Sequence, residues 1–324
     1  MIRALITGID GQDGSFLAEL LLRKGYEVHG LIRRAVNPSV NITHLKGQAT
    51  LHYGDMTTEN HLSMLLHDLS PDEIYNLAGQ SDVAASFDIP EYTAEATGVG
   101  VTRLLEAMRA FCPGAKLYQA SSSEMFGKSK PPQSEETPFR ARSPYGAAKI
   151  YAHNMVVCYR EAYNLFACCG ILFNHESERR GPEFVTRKIS LAVARIALGV
   201  QDKLELGNLD ARRDWGYAPD YVQAMWLMLQ QEEPDDYVIG TNETHTVRDF
   251  AEQAFSHVGL DWHDYVTCSA ANTRPSDVHC LLACAAKARD RLGWEPRIRF
   301  DKLVRIMVDH DLGYVKGGNK CVPL

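Results

Sequence analysis

The chain has 324 residues, 45% of them hydrophobic and 23% charged, with a formal net charge of −7 and an isoelectric point near 5.9. That length buries a large core in one large or two closely joined domains, and the acidic balance argues against a nucleic-acid partner, so any phosphate must be held in a local pocket. No run of about 18 apolar residues is present to span a membrane, and no basic segment followed by an apolar one succeeds Met1, so a soluble cytoplasmic protein with no membrane partner is expected.

In chain order, short apolar runs alternate with amphipathic helical stretches. The runs are Ala4 to Thr7, Glu27 to Ile32, Thr50 to Tyr53, Glu73 to Ala78, Lys116 to Ala120 and Phe166 to Phe173. Strands this short and apolar, separated by helices, predict an α/β protein whose doubly wound parallel sheet is covered on both faces. Its site is expected at the carboxyl ends of the strands. After about Phe173 the rhythm breaks into basic and polar segments, with helices expected at Tyr221 to Gln230 and Ala285 to Leu292. Residues 1–175 are therefore read as one domain and 176–324 as a smaller α/β lobe, mainly for substrate capture, packed on the first and able to exchange segments with it. The eight cysteines (Cys112, Cys158, Cys168, Cys169, Cys268, Cys280, Cys284 and Cys321) form neither CxxC pairs nor zinc-ligand spacing, so free thiols and no metal are expected.

The first strand runs into Gly8-Ile9-Asp10-Gly11-Gln12-Asp13-Gly14, which opens directly onto a helix from Ser15 to Arg23. Glycines let a backbone approach a pyrophosphate, and the helix amino terminus offers N–H groups and positive partial charge. The position between strand and helix carries the inference, although one more residue separates the first two glycines than in GxGxxG. After the second strand, where an acid would select NAD, stand Arg33-Arg34; two cations favour a 2′-phosphate, hence NADP. A solvated basic turn, or one docked on a neighbouring subunit, is the alternative. Asp55, beside Met56, could accept from an adenine amino group or could be a simple helix cap before Thr57-Thr58-Glu59. Leu77-Ala78-Gly79-Gln80-Ser81 would let a ribose or nicotinamide pass close to the backbone, unless Gly79 is a plain turn residue.

Two proton acceptors follow. Tyr145 and Lys149 are four apart, so a helix beginning near Ser143-Pro144 stacks them on one face. A phenol with a pKa of roughly 10 is a poor base at neutral pH, and Lys149 is expected to lower that value. Upstream, Ser121, Ser122 and Ser123 lead into Glu124, a second base whose plain alternative is to cap the following turn.

TGIDGQDGSFLAELLLRKGYEVHGLIRR, SSSEMFG, SPYGAAK, GILFNHES, FVTRKIS and GNLDARRDWG together resemble the extended short-chain dehydrogenase/reductase family, in its GDP-mannose 4,6-dehydratase branch, over essentially the whole chain. The resemblance implies a Rossmann domain holding NADP, a GDP-sugar substrate and a homodimer or homotetramer. It implies that Tyr145 accepts the 4-hydroxyl proton as C4 is oxidised, that Ser122 bonds the 4-oxygen, and that Glu124 takes the C5 proton and helps water leave C6. By the same resemblance Tyr92, His175 and Arg180 contact the cofactor, while Asn174, Lys188, Arg213, Arg274 and Asp277 hold the nucleotide sugar. The chain departs from the family at Ser122 (usually threonine), Asp10 (usually threonine), Ala35-Val36 (usually serines), Glu178 (usually proline) and Asp277 (usually glutamate). The last two, near the expected substrate pocket, leave a GDP-heptose open as substrate. A nucleotide-sugar epimerase or decarboxylase is the nearest rival, and an idle NADP-binding scaffold the most distant one; Glu124 beside Tyr145 and Lys149 argues against the epimerase and the scaffold.

Overall fold

The computed structural model describes residues 1–33, 39–269, 276 and 278–318. Its strands are β1 (Arg3–Thr7), β2 (Glu27–Ile32), β3 (Thr50–Tyr53), β4 (Glu73–Asn76), β5 (Lys116–Ser122), β6 (Ala167–Leu172), β7 (Asn174–Glu176), β8 (Leu204–Leu206), β9 (Arg212–Arg213), β10 (Trp215–Tyr217), β11 (Tyr237–Ile239), β12 (His245–Thr246) and β13 (Val266–Cys268). The helices are α1 (Gln12–Arg23), α2 (Glu59–Leu69), α3 (Ala85–Asp88), α4 (Pro90–Thr93), α5 (Gly100–Phe111), α6 (Pro144–Tyr163), α7 (Val185–Ala197), α8 (Ala218–Leu229), α9 (Val247–His257), α10 (Ala286–Leu292) and α11 (Phe300–Lys316).

Among the described residues, seven strands form one parallel sheet in the order β11-β6-β5-β4-β1-β2-β3. Side chains alternate across it. Ala4, Ile6, Tyr75 and Tyr118 pack beneath α1, α8 and α10, whereas Leu5, Ile74 and Leu117 pack beneath α2, α5 and α6. Along the central strands both faces are therefore dry, which is why they read as continuous apolar runs rather than alternating ones, whereas the edge strand β3 is exposed. A third core forms between α7, α9 and α11 around Trp215, Phe250 and Phe300. The second half of the chain is thus divided: α8, β11 and α10 complete the sheet layers, while the first turns of α7 and α9 reach the far wall of the cavity and α11 packs behind them.

Strand limits differ from the sequence expectation for local reasons. β4 stops at Asn76 because the Thr7 hydroxyl accepts from the next two amides, Leu77 (3.2 Å) and Ala78 (3.1 Å), and draws the chain out of the ladder. β5 runs on to Ser122, pairing Ser121 with Ile171 and Ser122 with Leu172. β11 has only three residues and no apolar run long enough to announce it. It is secured by Asp236, which takes both guanidinium nitrogens of Arg160 at 2.9 Å and the Cys169 amide at 2.8 Å.

Candidate active site

A cavity of about 740 Å³ opens at the carboxyl ends of β1, β4, β5 and β6. Its walls bring together Gly8, Gly11, Gln12, Asp13 and Gly14 of the glycine loop, Leu77, Gly79 and Ser81 after β4, and Ser122, Glu124, Tyr145 and Lys149. Asn174, His175, Arg180, Lys188 and Arg213 face the same space from the second half of the chain.

The catalytic candidates are placed by two elements. Ser143 caps α6 by accepting from the Gly146 amide (3.1 Å), with Pro144 in the first turn, so the helix starts where the sequence pattern puts it. Tyr145 and Lys149 then stack on one buried face, the ammonium 5.7 Å from the Tyr145 ring centroid. Ser122 ends β5 and accepts from the Glu124 amide (3.2 Å), which starts the one-turn 3-10 helix Ser123–Met125 and brings the buried Glu124 side chain to the cavity wall. The Ser122 hydroxyl also hydrogen-bonds the Tyr145 phenol.

The electrostatics correct one expectation. Tyr145 is not lowered by its lysine: burial pushes the phenol up to about 12, the Ser122 hydrogen bond works against that, and the Glu124 charge reinforces it. Lys149 is itself brought down to about 8 by burial. Its ammonium donates to the Ala120 carbonyl at 2.6 Å, so it is anchored on the strand rather than on the phenol.

On the other side, Gly8 has φ +71 and Gly14 packs so tightly that a Cβ there would meet the Gly8 carbonyl oxygen at 2.3 Å. Gly11 precedes α1 without a side-chain cap, which leaves first-turn N–H groups for an anion. The Asn174 side-chain oxygen, buried on the cavity wall, has no hydrogen-bond partner among the described residues. A tight backbone cradle, an uncapped helix start and an orphaned polar atom fit a dinucleotide lying along this wall. His175 and Arg180 reach the wall already engaged: His175 bonds Asp13 (2.7 Å) and the Phe173 carbonyl (2.7 Å), and Arg180 pairs with Glu176 (3.1 Å) while lying 3.5 Å over the Phe184 ring. Lys188 makes no ion pair among the described residues, and the buried Arg213 donates to the Val278 carbonyl at 2.7 Å.

Other expected cofactor residues stand off the wall. Ile9 is fully buried in the sheet core and packs against Gly30, and Met56 is core packing beneath Gly100. Asp10 contributes its carbonyl to Ser39 (2.8 Å), Ala78 gives its amide to Thr7, and Gln80 bonds Thr97 and the Asp82 carbonyl. Asp55 accepts from the Thr57 amide (2.9 Å) and so closes the turn ahead of α2, whose N-cap is Thr58 rather than Asp55. Arg33 donates to the Tyr92 hydroxyl at 2.7 Å, so these two candidates meet each other outside the cavity wall. Arg34, Arg274 and Asp277 lie outside the described residues, as do Ala35 and Val36.

Sequence reasoning missed Asp82, Phe87, Glu176, Glu183, Asn208 and Trp215, all on the cavity wall. Glu176 lies within FNHES, and Asn208 and Trp215 lie within GNLDARRDWG, so these could have been found there; Asp82, Phe87 and Glu183 lie outside the quoted motifs, Phe87 on the short helix α3. Spacing also gave no sign that His153, Cys169 and Asp236 bring possible ligand atoms within 4.8 Å of one another. Both Asp236 oxygens are already held by Arg160, and that guanidinium opposes a metal ion.

The parallel sheet, the glycine loop and the Ser-Tyr-Lys cluster together define an extended short-chain dehydrogenase/reductase. UDP-glucose 4-epimerase of Thermus thermophilus in complex with NAD has the same fold, with a TM-score of 0.85 at 25% identity, covering 96% of this chain and 99% of that one. The profile of the GDP-mannose 4,6 dehydratase family matches residues 5–307, and the chain belongs to that family. GDP-mannose 4,6 dehydratase 1 of Arabidopsis thaliana is 55% identical over 97% of this chain and 90% of its own length. The human GDP-mannose 4,6 dehydratase is 51% identical over 95% of this chain and 91% of its own.

Proposed function

We propose that this chain dehydrates GDP-mannose to GDP-4-dehydro-6-deoxymannose, using NADP without consuming it. The observation that carries the reading is that Glu124 and Tyr145, two proton acceptors, share one cavity wall with Ser122 between them. A bound nicotinamide dinucleotide supplies a hydride acceptor for C4 that later returns the hydride to C6.

Tyr145 accepts the 4-hydroxyl proton, and Ser122, already bonded to the phenol, shares the 4-oxygen. A phenolate whose conjugate acid sits near 12 is a strong base; the cation that lowers the phenol is Arg180, while Lys149, 5.7 Å from the ring centroid, is held on the Ala120 carbonyl. The 4-ketone acidifies the C5 proton. Glu124 removes that proton and then, as an acid, protonates the departing C6 hydroxyl, and Tyr145 returns a proton to C5. Two proton transfers at different carbons explain why a simple dehydrogenase pair is not enough.

Lys188 and Arg213 suit the diphosphate and Asn174 the nucleotide sugar, with Arg274 and Asp277 assigned by family resemblance. Arg33 and Arg34 support the 2′-phosphate and hence NADP. Glu178 accepts from Tyr217 (3.4 Å) rather than facing the cavity, which favours mannose over a heptose at that departure. The exposed Tyr151 and Tyr163 on α6 and Phe111 on α5 support a homodimer or homotetramer. Incubation with GDP-mannose and NADP, followed by mass spectrometry, is expected to show loss of one water with no net reduction of the cofactor. An unchanged GDP-mannose alongside a converted GDP-heptose or UDP-sugar would overturn the substrate.

A further inference from the structure

His175 faces acceptors on both sides. Its Nδ1 lies 2.7 Å from the Phe173 carbonyl oxygen and its Nε2 lies 2.7 Å from Asp13 Oδ2. Neither oxygen has a proton to give as long as Asp13 is a carboxylate, so both ring nitrogens must carry one, and the ring is an imidazolium. It stacks on Tyr221 of α8 with centroids 4.6 Å apart, which holds the plane of the ring.

The partner carboxylate is awkwardly placed. Asp13 belongs to the first turn of α1 and lines the cavity, at the helix end that a pyrophosphate would occupy. An uncovered negative charge there repels a diphosphate. We propose that His175 is a positioning residue whose proton neutralises Asp13 and thereby makes dinucleotide binding depend on pH; this rests on the nicotinamide reading above.

The surroundings agree with the charge state. Burial disfavours a charged imidazole, but the Asp13 charge and hydrogen bond and the Phe173 carbonyl outweigh it, and His175 titrates above its usual value despite the Arg180 cation nearby. Asp13 is likewise held below its usual value, burial being outweighed by His175, by the Gln12 amide (3.0 Å) and by Arg180. Arg180 in turn is paired with Glu176, so the other charges facing the ring largely cancel. Gln12 continues the clasp, donating to the His175 carbonyl (3.0 Å) and accepting from Ser177 (2.8 Å). The sign follows. For His175 the contribution is full below the free imidazole value, about 6.5, and is lost as pH rises through the raised one. For Asp13 it is lost as pH falls through the lowered value. Loss of either ring proton sets a nitrogen lone pair against an oxygen lone pair, so the clasp opens on the alkaline side.

The test uses the full chain in two readouts. Proton-carbon NMR of the imidazoles, with His175 identified by the signal missing from His175→Gln, should show it titrating above the free value in the nucleotide-free wild type and lower in Asp13→Asn. NADPH fluorescence should show affinity weakening roughly tenfold from pH 7 to pH 9 in the wild type and staying level in Asp13→Asn, the change expected as one nearby compensating charge is lost. A His175 that titrates at or below the free value, or an alkaline loss of affinity equal in both forms, overturns the proposal. Failure of NADPH to bind at any pH would instead refute the cofactor reading, and the NMR readout would still decide the ion pair.

Discussion

The two sides of the cavity hold their polar groups in opposite ways. On the cofactor side, charge meets charge: Asp13 with His175, Glu176 with Arg180, and Glu19 with Arg179 at 2.6 Å. On the reacting side, Tyr145 is bonded to a serine hydroxyl and Lys149 to a main-chain carbonyl. Ion pairs fix geometry and hold protonation states constant near neutrality. A phenol and an ammonium held by neutral groups have their proton affinities set by burial, and so they remain responsive to what enters the cavity. The scaffold side keeps its charges until the pH at which His175 loses its proton, whereas the reacting side is poised to move a proton at neutrality.

That contrast can be broken deliberately. Tyr145→Phe should lower the dehydration rate by roughly 10²–10⁴-fold while NADPH still binds, as expected for loss of a positioned base; a steady-state rate and a binding curve on one preparation decide it, and a comparable loss of binding would erase the distinction. Gly14→Ala is the complementary change. Its Cβ would fall 2.3 Å from the Gly8 carbonyl oxygen and 2.6 Å from the Ile9 Cα, so the loop must move and nucleotide affinity should drop roughly 100-fold, an order set by the few kcal/mol that such strain costs.

A smaller effect separates the two sides by pH. Lys149, brought down to about 8, is a cation below that value and loses its proton as pH rises through it, so the rate at saturating substrate should fall above about pH 8. Lys149→Arg, whose guanidinium stays charged, should remove that limb even if its overall rate is low. The least effect is expected far from both sides. Thr246 and Asp249 form a reciprocal capping box at the start of α9, and Thr246→Ala should cost about 1 kcal/mol in chemical denaturation without changing nucleotide affinity.

What the sequence made legible follows the same division. The sheet announced itself because its central strands are buried on both faces, and Tyr145, Lys149 and Glu124 could be placed because helix spacing and a strand-to-turn step are local geometry. β11 escaped because three residues carry no period; what holds it in the sheet is distant in sequence, its ladder with β6, Asp236 on Arg160 76 residues away and Glu135 on the Val238 amide. The Asp13–His175 pair spans 162 residues and was likewise invisible: each was placed near the cofactor, but nothing local says that they neutralise each other. The expected lowering of the Tyr145 phenol failed for a related reason, since spacing reveals the lysine's direction but not the burial that governs both groups.

The account's central claim is that oxidation at C4 and reduction at C6 are one internal cycle run by Tyr145 and Glu124. GDP-mannose carrying deuterium at C4 tests it most directly: the product, analysed by NMR, should bear that deuterium at C6. Deuterium released to solvent, or accumulated in free reduced cofactor, would contradict it.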